Sequence, residues 1–192
     1  DRFRWRSDEK VLLTVGSLTV QKNQRILVEV IGILKKQGIN CRLAIAGAGP
    51  LQQELEQAIA ETATKNKVEL LGIRHDIAAL MKASDLFVFP SLWEGLPIAL
   101  LEAMAAGLPA IVSDLQVHRD LLENGRLGII CPKEPAAEVA RSIFAALSNP
   151  GLAAMARLGQ TAVQSRFSSL RMAGEYLEWF EDLLSQKNIV GR

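Results

Sequence analysis

Short apolar runs alternate with stretches of helical period along almost the whole chain, and this alternation constrains the fold more than any other feature. Val11 to Val15, Cys41 to Ala46, Val68 to Leu71, Leu86 to Phe89, Ala110 to Val112 and Leu127 to Ile130 are too short for helices. They also lack polar alternation, so they read as strands buried on both faces. Between them the spacing predicts helices over Asn23 to Lys36, Leu51 to Ala63, Ile77 to Ala83, Ile98 to Ala106 and Val117 to Leu122. Gly38 and Gly107 stand as helix stops, and Pro50 and Pro135 as helix starts. After a break at Asn149-Pro150-Gly151 two more helices follow; the last, about Ser169 to Leu184, carries Leu170, Ala173, Tyr176, Leu177, Phe180, Leu183 and Leu184 on one face. Packing of that face on the core is expected, with a dedicated partner helix as the alternative.

Strands that alternate with helices make a parallel sheet covered on both sides. The expected fold is α/β: a Rossmann-like, doubly wound, parallel six-stranded sheet with C-terminal helices. In such a sheet ligands bind in the crevice beyond the carboxyl ends of the strands. The loops at Gly16, Gly47, Gly72, Pro90 to Pro97 and Ser113 all follow strands, so they gather at that edge.

Composition narrows the function. A net charge of +1 implies neither nucleic acid nor an anionic membrane as partner. Arg2, Arg4 and Arg6, alternating with Phe3 and Trp5, suggest a nucleic-acid arm or a solvated linker; without a second basic cluster the linker is favoured. No run approaches the ~20 apolar residues of a membrane span. Cys41 and Cys131 lack metal or redox spacing and read as buried thiols of a reducing compartment. With only His75 and His118, and no Asp-x-Asp, a metal site is not expected.

Chemistry concentrates between Glu94 and Ala105. Glu94 precedes a Gly-Leu-Pro turn, and Glu102 lies within the apolar helix that follows. A carboxylate among Ile98, Leu100, Leu101, Ala103 and Met104 is costly to bury without donors. Vicinal hydroxyls of a ribose would supply them. The turn from Gly95 to Ile98 presents backbone N–H groups at the positive end of a helix, a site for phosphate. Ribose and phosphate together indicate a nucleotide, and Glu94 lies where a group attached to the phosphate is within reach.

These residues resemble the E-x7-E motif of retaining glycosyltransferases with the GT-B fold, specifically glycosyltransferase family 4. The resemblance runs in ordered blocks from about Val11 to Leu184. It covers the C-terminal, nucleotide-sugar-binding half of such an enzyme. It implies residues 1–10 as a linker from an upstream acceptor domain, 11–166 as the donor domain, and 167–192 as a helix and tail that cross back towards the upstream domain.

Residue by residue, the resemblance implies that Glu94 contacts hydroxyls of the donor sugar and that the Gly95, Leu96 and Ile98 backbone holds the sugar and distal phosphate. Pro97 has no N–H to give. Glu102 holds the ribose. Gly16, Ser17 and Lys22 match the first phosphate block, where the family more often has Gly-Arg-Leu and then Lys-Gly. Ser17 stands at the arginine position and Asn23 at the glycine position, so one full charge is lacking. Glu94 and Lys22 are the expected catalytic groups, Lys22 meeting the leaving diphosphate as a point charge. Gly72-Ile73-Arg74-His75-Asp76-Ile77 resembles the segment beside the base. Ile77 is placed near the base, Arg74 near phosphate, and Asp76 either caps the next helix or serves the loop. Gly47-Ala48-Gly49-Pro50 has Gln52 where a dinucleotide fingerprint needs its third glycine, so it reads as a tight turn beside the site. Asp120 is expected to buttress the site or cap a helix, with His118 as a catalyst the sharper alternative.

The function implied is transfer of a sugar from a nucleoside diphosphate sugar, with UDP favoured, to an acceptor hydroxyl. No cofactor or metal is expected. Gly-Leu-Pro in place of the commoner Gly-Phe-Gly looks like the variant of envelope and capsular polysaccharide transferases. A cytoplasmic location is expected, with any peripheral membrane contact made through the upstream domain. A nucleotide-sugar epimerase, a sugar phosphorylase and a non-catalytic nucleotide-binding domain are the alternatives.

Overall fold

A computed structural model describes Trp5 and residues 8–190, the last five as helix backbone only. Arg2, Phe3, Arg4 and Arg6 of the basic arm lie outside the described residues. The strands are β1 (Lys10–Val15), β2 (Cys41–Ala46), β3 (Val68–Gly72), β4 (Leu86–Phe89), β5 (Ala110–Ser113) and β6 (Ile129–Cys131). All neighbours pair in parallel, in the order β3-β2-β1-β4-β5-β6. The helices are α1 (Gln24–Lys36), α2 (Gln52–Glu61), α3 (Ile77–Ala83), α4 (Ile98–Ala105), α5 (Gln116–Leu121), α6 (Ala136–Leu147), α7 (Leu152–Arg166) and α8 (Ser169–Val190).

Successive strand residues feed opposite layers. Leu12, Leu43, Ile45, Leu86, Val88 and Ile111 pack under α1, α2 and α6. Leu13, Ala44, Phe87, Phe89 and Val112 pack under α3, α4, α5 and α7. The chain moves outward from β1 to β3, then returns to lay β4 on the other side of β1. That reversal opens a crevice beyond the ends of β1 and β4, where the order switches direction. The expected α/β doubly wound sheet is therefore present, and helix stops fall where glycine predicts them. Gly38 and Gly107 both have φ in the left-handed region, at 77° and 72°.

Four expectations are corrected. β6 begins at Ile129, because Leu127 turns inward after the Glu123–Gly125 turn and its N–H bonds Leu122 O at 3.1 Å. Pro50 does not start α2, which begins at Gln52. Asp76 precedes α3 without a side-chain cap; its carboxylate takes both Arg74 Nε at 2.8 Å and Arg74 Nη2 at 2.7 Å. Finally, α8 does not bury its apolar face. Leu170 is 85% exposed, and Tyr176, Leu177, Phe180, Leu183 and Leu184 are exposed too. Helical spacing shows that a face is apolar, not what covers it.

No helix among the described residues is long and apolar enough to cross a membrane. Cys41 and Cys131 are buried thiols as expected, and burial pushes them up to about 11 and about 12.

At the opposite edge of the sheet, Glu9 is buried beneath the start of β1. Its carboxylate takes Arg42 Nε at 2.6 Å and Lys67 Nζ at 2.5 Å. Burial alone would raise its pKa, but these two donors outweigh that and hold it below the ordinary value of 4.5.

Candidate functional site

The crevice is walled by the exits of β1 and β4. After β1 the chain runs through Gly16, Ser17 and Leu18 into a 3-10 turn at Val20–Lys22. The Gly47–Gly49 turn after β2 lies directly against this segment. A Cβ on Gly47 would stand 1.9 Å from Gly16 O, and one on Gly49 2.5 Å from Leu18 O. The two glycines are there for close backbone approach and not for a dinucleotide. Gln24, buried at the head of α1, donates from Nε2 to Ser17 O at 2.9 Å and fixes the loop from the other side.

Asn23 links the 3-10 turn to α1 in a left-handed conformation, φ 51°. Asparagine is among the few residues other than glycine that adopt it readily, which accounts for its presence at a position where the resemblance leads one to expect glycine. Its Nδ2 also reaches Pro90 O at 3.4 Å.

Lys22 and Glu94 come together across the crevice. Lys22 Nζ stands 2.6 Å from Glu94 Oε1, with only 5% of the Glu94 side chain exposed. The ammonium also lies over the Phe89 ring, 4.8 Å from its centroid, which adds attraction to the ring face. Around this pair lie polar groups without partners. Ser17 is exposed, and its N–H bonds no acceptor among the described residues; the same holds for the N–H groups of Gly95, Leu96 and Ala99. Ile98 departs from the expected set of open donors, because its N–H already bonds Leu96 O at 3.0 Å in the turn. Its place is taken by Ala99, one residue further into α4.

Below the pair is a polar floor. Ser113 Oγ donates to Ser91 O at 2.5 Å, and His118 Nδ1 lies 2.7 Å from Ser113 O. A carbonyl only accepts, so Nδ1 carries the proton and Nε2 a lone pair. His118 Nε2, Ser91 Oγ and Thr19 Oγ1 are buried without a partner among the described residues. Burial pushes the His118 pKa down; its bond to Ser113 and the Glu94 charge pull it up, and Lys22 pushes it down again. His118 is fully buried and so lies beneath the crevice surface. Asp120 neither caps α5 nor touches the crevice: it is exposed and takes Gln116 Nε2 at 2.7 Å along its own helix.

Glu102 corrects an expectation. The inward side of α4 is made by Leu100, Leu101, Ala103 and Met104, while Glu102 points out and is exposed. It lines a groove of about 350 Å³ between α3 and α4 with Ile77, Met81, Lys82, Ala105 and Ala106. The structure thus brings Ile77 and Glu102 onto one groove, apolar but for Glu102 and Lys82. Arg74 is held in its pair with Asp76, on the loop leaving the edge strand β3. No set of three or more His, Cys, Asp or Glu residues among the described residues is arranged to hold a metal ion.

Gln21 is a structural partner that sequence reasoning missed, because its contacts, Leu92 and Trp93, are far away in the chain. His118 was singled out as a catalyst, but not as the buried partner of Ser113 O. Asn23 did carry a signal, as asparagine directly after a turn lysine.

Taken together, the doubly wound parallel sheet and its flanking helices define an α/β Rossmann-like fold of the kind seen in GT-B glycosyltransferase structures. Residues 1–164 match the model of the family described as glycosyl transferases group 1, and the chain belongs to that family. It is 38% identical over 117 residues to the UDP-Gal:alpha-D-GlcNAc-diphosphoundecaprenol alpha-1,3-galactosyltransferase of Escherichia coli, covering 59% of this chain and 30% of that protein. It is 34% identical over 137 residues to the amylovoran biosynthesis glycosyltransferase AmsK of Erwinia amylovora, covering 67% of this chain and 34% of that one. The fold superposes on Anabaena Alr3699/HepE, solved in complex with UDP and glucose, with a TM-score of 0.84 at 23% identity, over 92% of this chain and 49% of that protein. The chain spans less than half the length of these proteins.

Proposed function

We propose that this chain is the donor-binding domain of a retaining glycosyltransferase of family 4. It would move a sugar from a nucleoside diphosphate sugar, with UDP favoured, to an acceptor hydroxyl in polysaccharide or glycoconjugate synthesis. The observation that carries this is the Lys22–Glu94 pair, set at the switch point among the open N–H groups of Ser17, Gly95, Leu96 and Ala99. An anion at that place meets one ammonium and several N–H groups that no other acceptor uses.

The diphosphate lies against Gly16, Ser17, Lys22 and the α4 N-terminus. As the bond from the sugar to the distal phosphate breaks, charge grows on the departing oxygen. Lys22 and the preset N–H groups stabilise it without reorganising. These groups meet the charge without a metal ion or other cofactor. Glu94 accepts hydrogen bonds from sugar hydroxyls, and Gly95, Leu96 and Ile98 form the wall beside the sugar. Glu102 takes the two ribose hydroxyls, and Ile77, across the same groove, meets the nucleoside. Arg74 serves the outer end of the site. Support for UDP comes from HepE, solved with UDP and glucose, and from a relative named for UDP-Gal. Support for polysaccharide synthesis comes from AmsK, named for amylovoran.

The acceptor side belongs to a companion domain upstream of residues 1–10, towards which 167–192 cross. The whole enzyme works in the cytoplasm, and any membrane contact is made by the companion domain. Calorimetric titration with UDP, GDP and ADP tests the donor assignment. UDP should bind best, and Glu102→Ala should weaken it by ten-fold or more while leaving folding intact, because Glu102 is exposed. Affinity unchanged in Glu102→Ala overturns the ribose assignment. Brisk sugar transfer by the 192-residue chain alone overturns the need for a companion domain.

A further inference from the structure

The loop that carries Glu94 has little holding it. From Leu92 to Gly95 the main chain makes two hydrogen bonds among the described residues, and both go to Gln21. Leu92 N–H donates to Gln21 O at 2.8 Å, and Gln21 Nε2 donates to Trp93 O at 2.9 Å. The same amide reaches Glu94 Oε2 at 3.5 Å, a long contact on the oxygen that Lys22 does not use. Gln21 itself is half-buried in the 3-10 turn that presents Lys22. Adjacent residues of one turn therefore divide the work: Lys22 grips the Glu94 side chain, and Gln21 grips the main chain on which Glu94 sits.

We propose that Gln21 is a positioning residue for the sugar end of the site, fixing the Leu92–Glu94 loop so that Glu94 Oε2 faces the donor sugar; this rests on the reading of Glu94 as the sugar's hydrogen-bond acceptor. An acceptor that must meet a particular hydroxyl has to be held to within about 0.5 Å, and rigid elements hold better than loops. Gln21 ties a loop of this kind to the rigid exit of β1. Most of what would hold the nucleotide does not depend on it: Ser17, Ala99, Glu102 and the Lys22 turn are held by α1, α4 and the Gly47–Gly49 turn, and only the Gly95 and Leu96 N–H groups share the loop. Loss of Gln21 should thus separate sugar recognition from nucleotide recognition.

The test is binding of UDP and of UDP-glucose, UDP-galactose and UDP-N-acetylglucosamine to wild type, Gln21→Ala and Gln21→Met. Methionine keeps about the size of glutamine without its N–H donor and without adding charge beside Glu94, so a packing role would spare that variant. In both variants the UDP dissociation constant should stay within two-fold of wild type. The advantage of the preferred UDP-sugar over UDP should fall at least five-fold. Retention of that advantage in both variants overturns the proposal, as does an equal loss of UDP itself. Hydrogen exchange at the Leu92 amide gives an answer independent of ligand: it should quicken ten-fold or more in Gln21→Ala, with β1 and β2 unchanged, and no change overturns the clamp. Failure of wild type to bind any of these nucleotides would instead count against the donor assignment, with the exchange measurement still deciding the role of Gln21.

Discussion

Two glutamates at opposite edges of the sheet are each paired with lysine, and their surroundings differ in one respect. Glu9 is saturated: one oxygen takes Arg42, the other Lys67, and Lys67 in turn donates to Asn40 Oδ1 at 2.8 Å. Glu94 has Lys22 on one oxygen and only a long contact on the other, above a floor with Thr19, Ser91 and His118 atoms unpartnered. A buried polar group left unmatched costs stability, so a chain shaped for stability alone would match it. Completion marks the structural edge, and incompletion at the other fits the ligand proposed for it.

The contrast can be broken first at Glu9. Glu9→Ala leaves Arg42 and Lys67 facing each other without their shared anion. It should cost about 3 kcal/mol in denaturant unfolding, with UDP affinity within two-fold of wild type. A large loss of affinity would mean that the two edges are coupled. Lys22→Met sharpens the comparison from the other side. Its loss leaves the buried Glu94 carboxylate without a cation, so unfolding should fall by about 1–3 kcal/mol, while UDP affinity should drop roughly ten-fold. A variant that loses stability and keeps affinity would make Lys22 a structural lysine like Lys67.

The smallest effect is in pH. Glu9 is held below its ordinary value of 4.5, so the folded state binds fewer protons there than the unfolded one. The stability it contributes is complete above pH 4.5 and is lost as pH falls through the lower folded value. Between neutral pH and pH 5 the slope from this group should be near zero. In Glu9→Gln the fall in unfolding free energy below pH 4.5 should be shallower than in wild type. An unchanged slope would place the acid sensitivity elsewhere.

Much of this was legible in the sequence because buried parallel strands are nearly free of polar residues. Leu12 and Leu13 are both buried, on opposite faces, and no surface strand reads that way. The turn glycines were legible for a related reason, since left-handed backbone after a helix leaves few choices of residue. Pairing across the fold was not. Lys22 meets Glu94 because β4 lies beside β1, a fact of strand order that no local pattern carries. The outward aim of Glu102 was obscured by its apolar neighbours: composition reports what surrounds a side chain along the helix, whereas direction depends on which residues the sheet claims. The same reasoning failed for α8, whose apolar face was assigned to a core that closes without it.

The contact between Gly47 and Gly16 has a consequence for anyone who would redesign this site. Where a Cβ would come within 1.9 Å of a carbonyl oxygen, the gap between two loops is set by main chain against main chain. No side chain there can be lengthened or trimmed to move the loop after β1 by a fraction of an ångström. The side chains of Ser17, Ile77 and Leu96 are adjustable parts, since none of them sets that gap. The two loops beneath them are the fixed jaw of the vice, and altered specificity has to be made entirely on the other side.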